Sequence, residues 1–204
     1  GAVLDVSGRG QAQTADLDLA LDLSKLAWLQ PDLAGTAKLS ANIKLRDEDV
    51  ELKVTGEAND IHHGPLASQH LSLTAVLSRD KAGLIKGSLT TDGDLANQPL
   101  SLEGRFQYDP AGLVVPTFQG RWASAVLDVA NLAITETRRS GHARLQFARL
   151  QDAAALAGTD LAGSLDMDIL AEDVSPDGQV VVKVQGKGLR SGTGSFTFVV
   201  VEDF

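Results

Sequence analysis

A period-two alternation of apolar and polar residues runs through most of the chain, and it confines the fold to β-structure. In Ala15-Asp16-Leu17-Asp18-Leu19-Ala20-Leu21-Asp22-Leu23, an extended backbone puts Leu17, Leu19, Leu21 and Leu23 on one side and Asp16, Asp18 and Asp22 on the other. Comparable rows are Leu39, Ala41, Ile43 and Leu45; Val50, Leu52 and Val54; and Leu71, Leu73, Ala75 and Leu77. Leu100, Leu102, Phe106 and Tyr108 follow, with Ser101, Glu103, Arg105 and Gln107 opposite, and then Leu165, Met167, Ile169 and Val180, Val182, Val184. Such rows describe a sheet with one wet face and one dry face.

Turn-forming residues separate the rows. Asp47-Glu48-Asp49, Asp92-Gly93-Asp94, Asp109-Pro110-Ala111-Gly112 and Ser175-Pro176-Asp177-Gly178 each stand between two alternating runs. Pro presets φ, and Gly and Asp tolerate left-handed conformations, so each is expected to be a turn. Consecutive strands joined this way pair as hairpins, which makes the expected architecture a long meander.

Two stretches depart from the alternation. Ser24 to Gln30 has a candidate capping Ser, helical spacing of Leu26 and Leu29, and Pro31 to stop it. Ala148 to Gly158 is Ala-rich, with Leu150 and Leu156, and ends at a glycine suited to a C-cap. Both predict short helical inserts, at about 24–30 and 148–158. They also mark an internal repeat: Leu21-Asp22-Leu23, insert, Asp32-Leu33-Ala34-Gly35, strand is echoed by Leu145-Gln146-Phe147, insert, Asp160-Leu161-Ala162-Gly163, strand. Val50 to Gly56 then matches Val180 to Gly186, giving repeat units of about 15–57 and 140–187 in one β fragment spanning 1–204. Residues 195–204 are dense in β-formers and read either as a terminal strand or as a partly non-native tail. The opening Gly1-Ala2-Val3-Leu4-Asp5 reads as a strand already under way, as expected of a piece of a longer protein.

Composition narrows the function. Hydrophobic residues make up 43% of the chain and aromatics 4%, so any apolar surface is aliphatic. The net charge of −9 leaves no surplus cation to neutralise nucleic-acid phosphates or an anionic membrane surface. With no cysteine, disulfides, thiolate metal sites and a cysteine nucleophile are excluded.

Candidate chemistry is sparse. His62 and His63 adjoin Gly64-Pro65 in what reads as a connection; His70 precedes a strand and His142 begins one, with no metal-ligand spacing among them. Asp92-Gly93-Asp94 lacks the rest of a calcium loop. Ser7-Gly8, Ser140-Gly141 and Ser191-Gly192 lack a nucleophile-elbow context. The carboxylates alternate outward instead of converging as an acid/base pair. The expectation is a non-catalytic protein without cofactor or metal. Trp28 is expected to pack against the sheet end beside Leu26 and Leu29, and Trp122 lies on a strand between Arg121 and Ala123. The aliphatic rows remain. If the sheet closes on itself or on a second sheet, they form an ordinary core; if it only curls, they form an open face that something apolar must fill.

Asp32-Leu33-Ala34-Gly35-Thr36-Ala37-Lys38-Leu39-Ser40-Ala41, its echo from Asp160 to Leu170, Ala96-Asn97-Gln98-Pro99-Leu100-Ser101-Leu102-Glu103-Gly104 and the stretch Ile61 to Leu77 resemble the recurrent phrases of TamB-like sequences. That family is part of the AsmA-like group of bridge-like envelope proteins. With the strands between them, these phrases cover about three-quarters of the chain. The resemblance implies an all-β fold, a curled antiparallel or mixed meander forming a U-shaped β-taco with an aliphatic inner face. It implies a periplasmic segment of a parent anchored in the inner membrane of a Gram-negative bacterium, partnering a TamA-like barrel of the Omp85 class. The implied work is outer-membrane protein assembly, inter-membrane phospholipid transport, or both.

On this reading the groove lining is Leu17, Leu19, Leu21, Leu23, Leu39, Ile43, Leu45, Val50, Leu52, Val54, Leu71, Leu73, Leu77, Leu100, Leu102, Phe106, Leu165, Met167, Ile169, Val180, Val182 and Val184. Its occupant is phospholipid acyl chains or client β-strands. The competing expectation is a closed β-sandwich acting as an adhesin or carbohydrate-binding module.

Overall fold

The computed structural model describes residues 2–11, 13–64, 66–175, 180–191 and 194–203. The alternation becomes strands: β1 (Ala2–Gln11), β2 (Thr14–Leu23), β3 (Leu33–Arg46), β4 (Asp49–His63), β5 (Leu66–Arg79), β6 (Ile85–Leu95) and β7 (Gln98–Asp109). They continue as β8 (Gly112–Trp122), β9 (Ala125–Thr135), β10 (Arg139–Phe147), β11 (Leu161–Val174), β12 (Val181–Ser191) and β13 (Gly194–Asp203). Neighbours in the sheet are neighbours in sequence from β1 to β13, so the meander expected from the turn residues is what forms. The paired strands whose registers follow are antiparallel, not mixed. The chain divides into two compact units, residues 1–103 and 104–204, with the boundary inside β7.

In the first unit, β3 and β4 are joined at Asp47-Glu48, where Asp47 takes φ 55°, as its turn-forming character predicts. Asp92-Gly93-Asp94, expected as a turn, instead lies inside β6. The turn comes later, at Ala96-Asn97, where both residues have positive φ (51° and 59°), the requirement of a two-residue hairpin loop twisted like its strands. Asp94 serves the neighbouring strand. Its carboxylate accepts the backbone N–H groups of Gln69 (3.0 Å) and His70 (2.9 Å), completing β5 where the ladder to β6 ends at Leu71↔Gly93.

The first insert is a single 3₁₀ turn, Leu26–Trp28, shorter than expected. Its N-cap is Lys25, without a side-chain cap bond, so Ser24 is not the capping residue. One turn has one inward position, and Leu26 takes it (6% exposed) while Trp28 is left 71% exposed. The packing role expected of Trp28 therefore belongs to Leu26, beside buried Leu23.

In the second unit, Asp109 closes the turn into β8 by accepting the N–H groups of Ala111 (2.8 Å) and Gly112 (3.1 Å), as the Asp-Pro-Ala-Gly sequence predicts. Ser175-Pro176-Asp177-Gly178 lies mostly outside the described residues. The second insert is a 3₁₀ turn, Leu150–Ala153, running into α1 (Ala154–Ala157), and it ends at Gly158 in the left-handed conformation, the expected C-cap. Its N-terminal end is tied to the β8–β9 turn: Ser124 Oγ donates to the Arg149 carbonyl and accepts the Arg149 N–H, both at 3.0 Å. Asp152 sits at this junction. Ser124 first and Arg149 second hold its carboxyl below the usual carboxylate range. Residues 194–203 form β13, paired with β12.

The sequence repeat has a backbone counterpart. In the first unit Gly35 lies opposite two residues of β4, Asp60 and Ile61, with Asp60 at φ 51°. In the second, Gly163 lies opposite Gly188 and Leu189 of β12, with Gly188 at φ 59°. Each Asp-Leu-Ala-Gly phrase thus ends in the same device, a β-bulge answered by a glycine on the facing strand.

Little of the apolar surface is fully buried. Among the described residues, the buried hydrophobic side chains are Leu23, Leu26, Ala125 and Leu189, and none of the large side chains is completely enclosed. So few enclosed side chains do not match the expectation of a closed sandwich core.

Candidate functional site

Residues paired across an antiparallel ladder project from the same face, so the registers can be followed from strand to strand. In the first unit one lane runs Leu4, Leu21, Leu39, Gly56, Leu73, Thr91 across β1 to β6. The next runs Val6, Leu19, Ala41, Val54, Ala75, Leu89, and a third Gly8, Leu17, Ile43, Leu52, Leu77, Gly87. The flanking lanes are Ala2, Leu23, Ala37, Ala58, Leu71, Gly93 and Gly10, Ala15, Leu45, Val50, Arg79, Ile85. Across these five lanes every position is apolar or glycine except Thr91 and Arg79.

All the lining residues expected between Leu17 and Leu77 fall on this one face. Most are half-buried; Leu17 and Leu39 are each 37% exposed, and Leu4 and Val6 at the β1 edge are 63% and 61% exposed. At two of the lane glycines a leucine leans over the gap: a Cβ on Gly8 or Gly56 would meet the Cδ2 of Leu17 or Leu39.

The second unit repeats the arrangement. Its lanes are Phe118, Val129, Ala143, Ile169, Val182; Gly120, Leu127, Leu145, Met167, Val184; and Trp122, Ala125, Phe147, Leu165, Gly186. Of the expected residues, Leu165, Met167, Ile169, Val182 and Val184 share this face. Val180 is half-buried and lies one residue before β12 begins. On β7, Leu100, Leu102 and Phe106 alternate on one side with Gly104 between them.

The sequence rows missed Leu4, Val6 and Leu89 in the first unit and Phe118, Leu127, Val129 and Leu145 in the second. Leu127 and Val129 do alternate in sequence, but the signal breaks at Asn131, where the strand bulges at φ 52° opposite Gly141.

The opposite faces are polar. Asn42 Nδ2 donates to Asp16 and Asp18, each at 2.8 Å, and Lys38 pairs with Asp22 at 3.6 Å. In the second unit a lane runs Gln119, Asp128, Arg144, Asp168, Lys183. Arg144 grips Asp166 through Nη2 (2.7 Å) and Nε (3.2 Å), Gln146 Nε2 reaches the same carboxylate at 2.8 Å, and His142 Nε2 lies 2.8 Å from Asp168. The Arg144 bond holds the Asp166 carboxyl below its usual range, and Asp166 raises the Arg144 guanidinium above its own.

The histidines lie in strands, not in connections: His62 and His63 end β4, while His70 and His142 lie within β5 and β10. His63 contacts Gln30 (3.1 Å) and His70 contacts Asn59 (3.0 Å). Among the described residues no three His, Cys, Asp or Glu side chains group as metal ligands, and no helix is long and apolar enough to cross a membrane.

No family model, curated protein or solved structure matches the chain.

Proposed function

We propose that each unit presents its aliphatic sheet face to lipid acyl chains and that the chain is a non-catalytic lipid-bearing scaffold. The observation that carries this reading is the first unit's face: six adjacent strands present aliphatic side chains and glycine with almost no polar interruption, and much of that surface stays accessible. An aliphatic wall without polar posts has no fixed binding point along it. Each methylene removed from water contributes about 0.8 kcal/mol, so an acyl chain is held firmly yet shifts along the wall at little cost. The polar reverse face, with its crossed Asp, Asn, Lys and Arg contacts, stays in water.

The resemblance to TamB-like sequences extends this proposal. The chain would be a periplasmic segment of an envelope-spanning protein that works with an Omp85-class barrel and moves phospholipid between membranes or assists outer-membrane protein assembly.

Native mass spectrometry after incubation with mixed phospholipid tests the core of the reading. Lipid adducts are expected on the wild-type chain and should be lost in Ile43→Arg, which places a charge at the centre of the face, while circular dichroism shows unchanged strand content. A chain that takes up no lipid, or an Ile43→Arg variant that keeps it all, sinks the proposal.

A further inference from the structure

β1 is an outermost strand of the sheet and pairs with β2 alone, so among the described residues its other edge has no strand beside it. Such edges are usually blunted by a proline, a bulge, an inward-pointing charge or sheer shortness. β1 has none of these. It runs ten residues, every one of them exposed, and its register with β2 is unbroken from Ala2↔Leu23 to Gln11↔Thr14. Leu4 and Val6 stand on the apolar face at 63% and 61% exposed, in line with Gly8 and Gly10. The strand's two charges, Asp5 and Arg9, are of opposite sign and both lie on the polar face.

We infer that two copies of this chain pair through β1, antiparallel about a two-fold axis at Ser7. Paired residues project from the same side, so a register that keeps apolar face beside apolar face must centre on a residue and not between two. Centring on Ser7 sets Asp5 of each copy opposite Arg9 of the other, Leu4 opposite Gly10, Val6 opposite Gly8 and Val3 opposite Gln11. Opposite charges facing across a ladder stabilise it, and the symmetry supplies the pair twice. The neighbouring choices are poorer. An axis at Asp5 or Arg9 sets like charges face to face. An axis at Val6 sets Arg9 against Val3, and one at Gly8 sets Arg9 against Ser7, so neither pairs the charges. The Ser7 register therefore gives both the open backbone edge and the two charges a partner. It also joins the aliphatic faces of the two first units across the axis, whatever covers those faces.

Sedimentation equilibrium of the purified chain should show a monomer–dimer equilibrium. The chain has no cysteine, so a single introduced thiol reports where the axis lies. Ser7→Cys faces its own copy with Cβ atoms about 4.5–5.5 Å apart, and mild oxidation should trap a disulfide dimer. Val3→Cys faces Gln11 and should not be trapped. Asp5→Arg sets Arg against Arg9 on both sides of the axis and should weaken association roughly tenfold. Glu136→Arg, which makes the same change in net charge in the β9–β10 turn, should leave association unchanged. Circular dichroism of each variant should show the wild-type strand content. A chain that stays monomeric at every concentration overturns the inference. A dimer that Ser7→Cys does not trap, or that Val3→Cys traps equally well, overturns it too, because another edge or another register would then join the copies. Association that Asp5→Arg leaves unweakened, or that Glu136→Arg weakens as much, removes the Asp5–Arg9 pairing on which the register rests.

Discussion

The ring of Phe118 on β8 lies across Gly104 on β7, so that a Cβ built on Gly104 would fall 2.5 Å from Phe118 Cδ2. Glycine in a strand interior ordinarily weakens it, and replacement by alanine should stabilise on backbone grounds by about 0.5–1 kcal/mol. Here the ring occupies the space the methyl group needs, and the cost of overpacking, about 1–3 kcal/mol, outweighs that gain. Gly104→Ala is therefore expected to lower stability in urea denaturation. A stabilised Gly104→Ala would mean that the ring moves aside freely. In the double variant Gly104→Ala/Phe118→Ala the effect of the methyl group should reverse sign.

The paired bulges make a second prediction. Gly35 (φ 117°) and Gly163 (φ 101°) occupy backbone conformations that L residues rarely adopt. A Cβ at Gly35 would meet the carbonyl oxygens of Asp60 and Asn59 at 2.7 and 2.8 Å, and one at Gly163 those of Lys187 and Gly188 at 2.5 and 2.6 Å. Backbone carbonyls in a ladder cannot swing away as a side chain can. Gly35→Ala and Gly163→Ala should each cost at least about 1–3 kcal/mol. Gly158→Ala, left-handed but with open space around it, should cost about 1–2 kcal/mol. Chemical denaturation of the three variants gives the ranking, and equal losses would remove the carbonyl contact as the cause.

Leu26 and Trp28 share one 3₁₀ turn and differ in what they touch. Leu26→Ala removes a side chain that is 6% exposed and should cost about 2–4 kcal/mol. Trp28→Ala removes one that is 71% exposed and should change stability by no more than about 0.5 kcal/mol. Thermal melts of both variants decide whether the insert is held by its leucine. A larger loss for Trp28→Ala would restore the packing role that its size suggests.

The same insert shows where the sequence was legible and where it was not. Alternation in Leu17 to Leu23 and Leu39 to Leu45 was enough to place those side chains on one face, because a period of two leaves a strand with no other choice. Register was not legible. That Leu39 faces Gly56, or that Arg79 joins the lane of Leu45 and Val50, depends on which residues pair across hairpins, and periodicity alone does not encode that. Asp92-Gly93-Asp94 misled because glycine and aspartate serve turns and strand irregularities alike. In β6 the glycine admits a close backbone approach and Asp94 caps the open N–H groups of β5. Trp28 misled because size and neighbours suggest burial, whereas a single turn buries only the residue that happens to point inward.

The polar face of the second unit supplies the remaining prediction. Asp166 accepts hydrogen bonds from Arg144 and from Gln146, and the Arg144 bond is the main reason its carboxyl titrates below the ordinary range. A depressed carboxyl contributes stability that is fully present above the unfolded value, about 3.9, and is lost as the pH falls through the lower folded value. Because the pair is exposed to water, that contribution is small, and the clearer readout is the titration itself. In Arg144→Gln, the Asp166 midpoint followed by carboxyl-carbon NMR should move up toward the ordinary value. In Gln146→Ala it should move up less, since a neutral donor stabilises the carboxylate less than a guanidinium does. An Asp166 midpoint that shifts more on loss of Gln146 than on loss of Arg144 would invert that order and make the amide, not the guanidinium, the main group holding this carboxylate ionised.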